Sequence, residues 1–266
     1  MGTNINKNTK LGVEGTHIST FIGGGGGYAP ETIAFLSQAS ITDPTIGNAV
    51  NDLVLYMQST GIWNKMIAVY PIVGSNAGAH KTNLIDPNTY AISFSGGWVH
   101  SSTGMLGNGI NTFGDTGLNP IIDMPGPDMS MGVYMRTSPT TVKYLLLGGS
   151  SQNVYMLRTT TSGSQAFMPN LTTSTLTSIT PQTGFTGTSK NGVDDFFILN
   201  SLGGVNSTTS SSPNMPNSSM QIGRFGGSYT AQEFAFAFIG YYLDQSEMDL
   251  FRVIIDVFQT DLSRNV

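Results

Sequence analysis

A chain of 266 residues with 39% apolar side chains can bury a sizeable core, yet only 10% of it is charged, against roughly 25% in ordinary soluble domains. The formal net charge of −5, with Lys and Arg scattered singly, leaves no basic footprint for a phosphate backbone and argues against a nucleic-acid partner. The absence of Cys excludes disulfides and thiolate metal sites.

Residues 1–29 carry few large apolar side chains and run into five consecutive glycines, Gly23 to Gly27. This composition reads as an N-terminal arm with a Gly-rich hinge. Neither a signal-peptide core nor an apolar run of about 18 residues is present, so the expectation is a protein made in a cytoplasm, without membrane insertion. Gly24, Gly26 and Ala29 satisfy the letters of a dinucleotide fingerprint, but a glycine run meets almost any glycine pattern. No strand-helix-strand unit follows it, so no cofactor is expected.

Residues 30–66 form a helical segment. Asp43 is a candidate N-cap with Pro44 at the first helical position. Ile46, Val50, Leu53 and Met57 then mark one face, and Gly61 supplies the stop. From residue 67 the texture changes to short apolar or alternating runs separated by Gly, Pro, Asn and Ser, the pattern of an antiparallel sandwich. Expected strands are Tyr90–Phe94, Met131–Thr137, Tyr144–Leu147, Val154–Arg158, Asp195–Leu199, Met220–Arg224 and Ala235–Tyr241. Asn191-Gly192 suits a tight hairpin, and Asn206–Ser219, almost wholly Ser, Thr, Asn and Pro, reads as a loop. A C-terminal helix closes the chain. Asp244 and Glu247 make a capping box, Met248, Phe251, Ile255, Phe258 and Leu262 mark one face, and Arg264 complements the helix dipole.

Several blocks of this sequence resemble a known group. Trp63-Asn64-Lys65-Met66, Tyr70-Pro71-Ile72-Val73-Gly74, His80-Lys81-Thr82-Asn83-Leu84 and Phe94 to Gly104 occur in order. Met220 to Arg224, Phe236 to Gly240 and Leu243 to Glu247 follow near the end. Over residues 43–266 this succession is similar to tailed-bacteriophage structural proteins with a concanavalin A-like, laminin-G-like domain. The resemblance implies a mainly β fold, a concanavalin A-like jelly-roll sandwich over 67–266 flanked by the helical segment and the C-terminal helix. It also implies a non-enzymatic virion protein of the head-fibre, decoration or tail-fibre type. Such a protein is a homo-oligomer, anchored to other virion proteins through its arm. The alternative is an adhesin for host surface glycans.

For that alternative, aromatic side chains that can stack on pyranose rings are the candidates: Trp98, with His100 beside it, and Tyr229. The bland reading makes Trp98 a core residue. Catalysis is not expected, because glycan hydrolysis needs two carboxylates flanking the bond, whereas Asp194 and Asp195 are neighbours on one strand and face opposite sides. No nucleophile-elbow motif occurs either. His17, His80 and His100 lack ligand spacing, so no metal site is assigned. Asp115, Asp123 and Asp128 lie in loops of a kind that can hold Ca²⁺.

Overall fold

The structure, a computed structural model, describes residues 27–138, 143–148, 155–160, 163–167, 183–192, 195–203, 205–209 and 215–266. The arm before residue 27 and Asp194 lie outside them. The helical segment comprises α1 (Pro30–Gln38) and α2 (Pro44–Ser59). Asp43 caps α2 as expected, accepting the Thr45 N–H at 2.8 Å, and Val50, Leu53 and Met57 are buried. A 3₁₀ turn, Ile62–Lys65, leads into β1 (Met66–Tyr70). Two four-residue helices follow later, α3 (Ala77–His80) and α4 (Pro120–Asp123). The C-terminal helix is α5 (Gln245–Asp261), with both halves of the Asp244/Glu247 capping box formed.

The remaining strands are β2 (Ser93–Ser95), β3 (Val99–His100), β4 (Met105–Leu106), β5 (Phe113–Asp115), β6 (Met129–Met135), β7 (Lys143–Gly148), β8 (Tyr155–Thr160), β9 (Gly163–Phe167), β10 (Gly184–Asn191), β11 (Asp195–Asn200), β12 (Val205–Thr209), β13 (Gln221–Ile222), β14 (Arg224–Phe225), β15 (Ser228–Tyr229) and β16 (Glu233–Gly240). They form two antiparallel sheets and one hairpin. The larger sheet runs β12-β11-β10-β6-β16-β4-β3, with β1 pairing a further stretch of β16; the smaller runs β2-β5-β13-β7-β8-β9; β14 pairs β15.

Two separate cores show how the layers stack. Ile92, Met131, Val133, Ile198, Ile222, Ala237 and Ile239 meet between the sheets. Tyr134, Phe185, Phe197, Phe236 and Phe238 lie on the opposite face of the larger sheet, under Val50, Leu53 and Met57 of α2 and Met248, Phe251 and Phe258 of α5. The central strands of the larger sheet are therefore buried on both faces, β6 and β16 almost without interruption, while Val99 and Leu106 of β3 and β4 are exposed at its end. Strand β16 also contains a bulge between Phe234 and Phe236. Because side chains alternate with a period of two, the extra residue exchanges the faces. Phe234 points between the sheets, while Phe236 and Phe238 point at the helices. Gly132 on β6 leaves room for that second set: a Cβ there would lie 2.3 Å from the Phe238 ring.

Several expectations are corrected. Tyr90, with φ of 53°, stands outside β2. Met220–Arg224 is broken at Gly223, where φ of 84° turns the chain out of β13. Asn206–Ser219 begins within β12, paired to β11, and ends beside buried Met220; residues 210–214 lie outside the described set. Asn191 still pairs with Asp195, so the hairpin loop is longer than two residues. Arg264 does not serve the helix dipole. It is buried and donates to the carbonyls of Ile72, Pro71 and Ala235 at 2.7, 3.2 and 3.1 Å, tying the C-terminus to the end of β1 and to β16.

Candidate functional site

Strand pairing brings the three sequence candidates into two adjacent aromatic groups, Trp98 and His100 around Phe94 and Tyr229 beside Phe113, joined by a hydrogen bond from Trp98 to the Phe113 backbone. Trp98 follows the Gly96-Gly97 turn between β2 and β3. Its Nε1 donates to the Phe113 carbonyl at 3.2 Å, and its ring packs against Phe94 and buried Phe234, with centroids 6.0 and 6.1 Å away. Gly223 lies over the ring edge, where a Cβ would approach to 3.2 Å. Trp98 is thus the inner wall of this arrangement. Its polar atom is spent inside the protein, and the core reading describes most of its surface.

The outer wall is the hairpin β14–β15. Its base is closed by Thr230 N–H donating to Gly223 O at 3.0 Å, and its tip, Gly226-Gly227-Ser228, is exposed. Tyr229 is half-buried with its ring 6.4 Å from that of Phe113. The Arg224 guanidinium lies 4.5 Å over the Phe113 ring and 5.8 Å from that of Tyr229, and Nε donates to Gly226 O at 3.0 Å. Cation–π attraction and one hydrogen bond therefore fix the plane of this guanidinium. Among the described residues no carboxylate lies within ion-pair distance of it, whereas Lys65, Arg136 and Arg252 are paired with Glu247, Glu233, and both Asp249 and Asp256.

His100 belongs to the inner side. Its ring packs edge-on against Phe94, 4.8 Å away, and its Nδ1 lies 2.9 Å from Nδ1 of fully buried His80. One imidazole must donate and the other accept. Burial lowers the pKa of both, that of His80 to about 3, with His100 and Arg264 adding to the effect on His80. Both rings are neutral at pH 7, so His100 brings no charge to the surface.

Of the three carboxylates expected in loops, Asp115 ends β5 and Asp123 ends α4, because both stretches are taken into regular structure, and all three are engaged internally. Asp115 accepts from Ser219 Oγ, Gln221 Nε2 and Gly117 N, Asp123 from Asn119 N, and Asp128 from Gly192 N. Among the described residues no group of three His, Asp or Glu side chains could hold a metal. A separate cleft of about 410 Å³ is lined by Lys65, Pro125, Gly126, Asp128, Tyr241 and Tyr242. Its Lys65 is already bound to Glu247 and its Asp128 to a backbone amide, so the Arg224 surface is the better equipped for a polar ligand. Sequence reasoning missed Arg224 and Phe113. An isolated Arg and a Phe on a short strand carry no local signal, and only pairing of β5 with β13 brings them together.

No protein-family model matches this chain, and no curated protein matches its sequence. Solved structures do share its fold. The binding domain of botulinum neurotoxin DC, in complex with rat synaptotagmin II, superposes with a TM-score of 0.54 at 9% identity, covering 74% of this chain and 52% of that one. Botulinum neurotoxin type C, whose cell entry is dependent upon interaction with two ganglioside molecules, gives 0.52 at 11% identity over 74% and 53%. Trypanosoma rangeli sialidase, as the covalent intermediate with 2,3-difluorosialic acid, gives 0.51 at 7% identity over 78% and 38%. The chain spans about half the length of the neurotoxin chains and less of the sialidase. At these identities the likeness is one of fold, a mainly β architecture of antiparallel sheets.

Proposed function

We propose that this chain is a non-catalytic carbohydrate-binding module, an adhesin that reads a surface glycan through the hairpin β14–β15. The observation that carries the reading is the half-buried platform beside the exposed hairpin tip, where the Tyr229 ring stands next to a guanidinium that lies over Phe113 and that no described carboxylate occupies. Sugars present apolar ring faces edged by hydroxyls, and such a platform matches both. The fold-level likeness to a ganglioside-dependent neurotoxin chain and to a sialidase holding a sialic-acid analogue supports the choice of ligand class. Binding without hydrolysis follows from the sequence reading, in which no two carboxylates are spaced to flank a glycosidic bond.

The finer fold reading, a concanavalin A-like jelly roll, is supported by the two facing antiparallel sheets. The virion setting rests on the resemblance of the sequence blocks at the two ends of residues 43–266. In that setting the arm anchors a homo-oligomer and the hairpin faces outward.

A glycan array with the full chain, followed by titration of each hit against Tyr229→Ala, tests the proposal. Expected are discrete hits whose affinity falls about tenfold or more in the variant, the scale of one lost aromatic contact with its neighbours. An array without hits would overturn the glycan reading. Co-sedimentation with phage particles lacking their native copy would then test the structural role alone.

A further inference from the structure

We infer that the glycan read at this surface carries a carboxylate, and that Arg224 binds it. The inference rests on the carbohydrate-binding reading and adds the chemical class of the ligand.

Most of the cations described in this acidic chain have a structural task. Lys65, Arg136 and Arg252 neutralise carboxylates, and Arg264 is buried on three backbone carbonyls. Arg224 has no such task. Among the described residues it donates from Nε, to Gly226 O, while the rings of Phe113 and Tyr229 hold the guanidinium. Among the described residues the terminal Nη1 and Nη2 have no hydrogen-bond partner, on a half-buried side chain at the base of a hairpin whose tip is exposed, and added Cβ atoms at Gly226 and Gly227 would meet nothing within 4 Å.

A guanidinium fork presents parallel N–H donors at the spacing of the two oxygens of a carboxylate, and planar bidentate pairing is what distinguishes Arg from Lys. Holding the fork in advance removes most of the side-chain entropy that binding would otherwise cost. An aromatic ring alongside suits the apolar face of the same sugar. A neutral hexose would use the stacking face and leave the charge idle. A sugar acid uses both.

The test compares, on the full chain, the methyl glycosides of glucuronic acid and N-acetylneuraminic acid with their carboxamides, by ligand-observed NMR and calorimetry. The acid of at least one pair is expected to bind about tenfold or more tightly than its amide, as for a charge-assisted hydrogen-bond pair, with the difference shrinking as salt rises. In Arg224→Gln the acid-to-amide ratio should fall to about one, and Arg224→Lys should recover only part of it. Comparing the two ligands on the unaltered protein guards against a variant that disturbs the hairpin. Equal binding of acid and amide would overturn the inference while leaving the carbohydrate reading intact. So would an acid preference that persists in Arg224→Gln. If neither member of any pair binds and the array is also silent, the carbohydrate reading falls and takes the inference with it.

Discussion

His80 has no exposed surface, and among the described residues its Nε2 has no partner and its ring's one hydrogen bond is to Nδ1 of His100. Protons on both Nδ1 atoms would set two donors against each other at 2.9 Å, and a proton on Nε2 would be buried without a partner among the described residues. The folded-state pKa of about 3 lies below the ordinary 6.5, so between those values the unfolded chain binds a proton that the native chain refuses. Native stability is therefore retained above pH 6.5 and lost on acidification toward 3. Asp256, raised to about 6 by burial despite its Arg252 partner, acts in the opposite direction between about 3.8 and 6 and offsets part of the loss. In His80→Gln the decline of unfolding free energy from pH 6.5 to 4 should be shallower than in the parent, by up to about 1.4 kcal/mol per pH unit. Urea titrations at four pH values measure it, and parallel slopes would refute the assignment. Arg264 is a second decisive residue. Its Nη1 holds the carbonyl of Ile72, a β-branched residue kept at φ of 50°, a conformation such side chains avoid. Arg264→Met removes the guanidinium from three buried carbonyls, of which Ala235 O keeps Gln259 Nε2 at 3.2 Å, and should cost roughly 2–5 kcal/mol, read as a lowered urea midpoint. A variant within 0.5 kcal/mol of the parent, the range usual for neutral surface changes, would show the contacts to be incidental.

At the level of elements, α2 and α5 were legible because each buries one stripe. Val50, Leu53, Met57 and Met248, Phe251, Ile255, Phe258 keep helical spacing, and their Asp caps stand where side-chain oxygens can reach the free amides. Strand β10 was not legible. Its Gly-Phe-Thr-Gly-Thr-Ser-Lys-Asn sequence has the texture of a loop, yet it lies between β6 and β11, buried along nearly all its length. Its hydroxyls are satisfied in place, with Thr188 donating to Phe197 O at 2.8 Å and Ser189 to Leu243 O at 2.6 Å, so polar side chains reside in the interior at little cost. Close approach between elements is equally specific. Gly132→Ala would press a methyl group into the Phe238 ring, which itself packs 4.9 Å from Phe251 of α5. A loss of about 1–3 kcal/mol is expected from such overpacking, and differential scanning calorimetry should register it as a lowered Tm. An unchanged Tm would mean that the sheet and helix can separate freely there.

Across the whole molecule, the helices complete the fold by covering a face of the larger sheet that carries Phe185, Phe197, Phe236 and Phe238. Removal of residues 245–266 would uncover these rings, an apolar area well beyond what soluble surfaces tolerate. The shortened chain should be recovered as aggregate, or as a species that binds hydrophobic dyes and unfolds without cooperativity, judged by size-exclusion elution and near-UV circular dichroism. A cooperative monomer would refute the three-layer account. The sequence by itself determined the two amphipathic helices, their caps, the β-rich body and most of its longer apolar strands, because each of these is written in local spacing, either a repeat of 3.6 or 2 or a capping side chain within three residues. Tertiary structure alone decided that the centre of the larger sheet is covered on both sides, that the bulge in β16 exchanges its faces, and that Phe113, Arg224 and Tyr229 come together with Trp98 behind them. These depend on which strands pair and in what register, and pairing joins residues whose separation along the chain leaves no local trace.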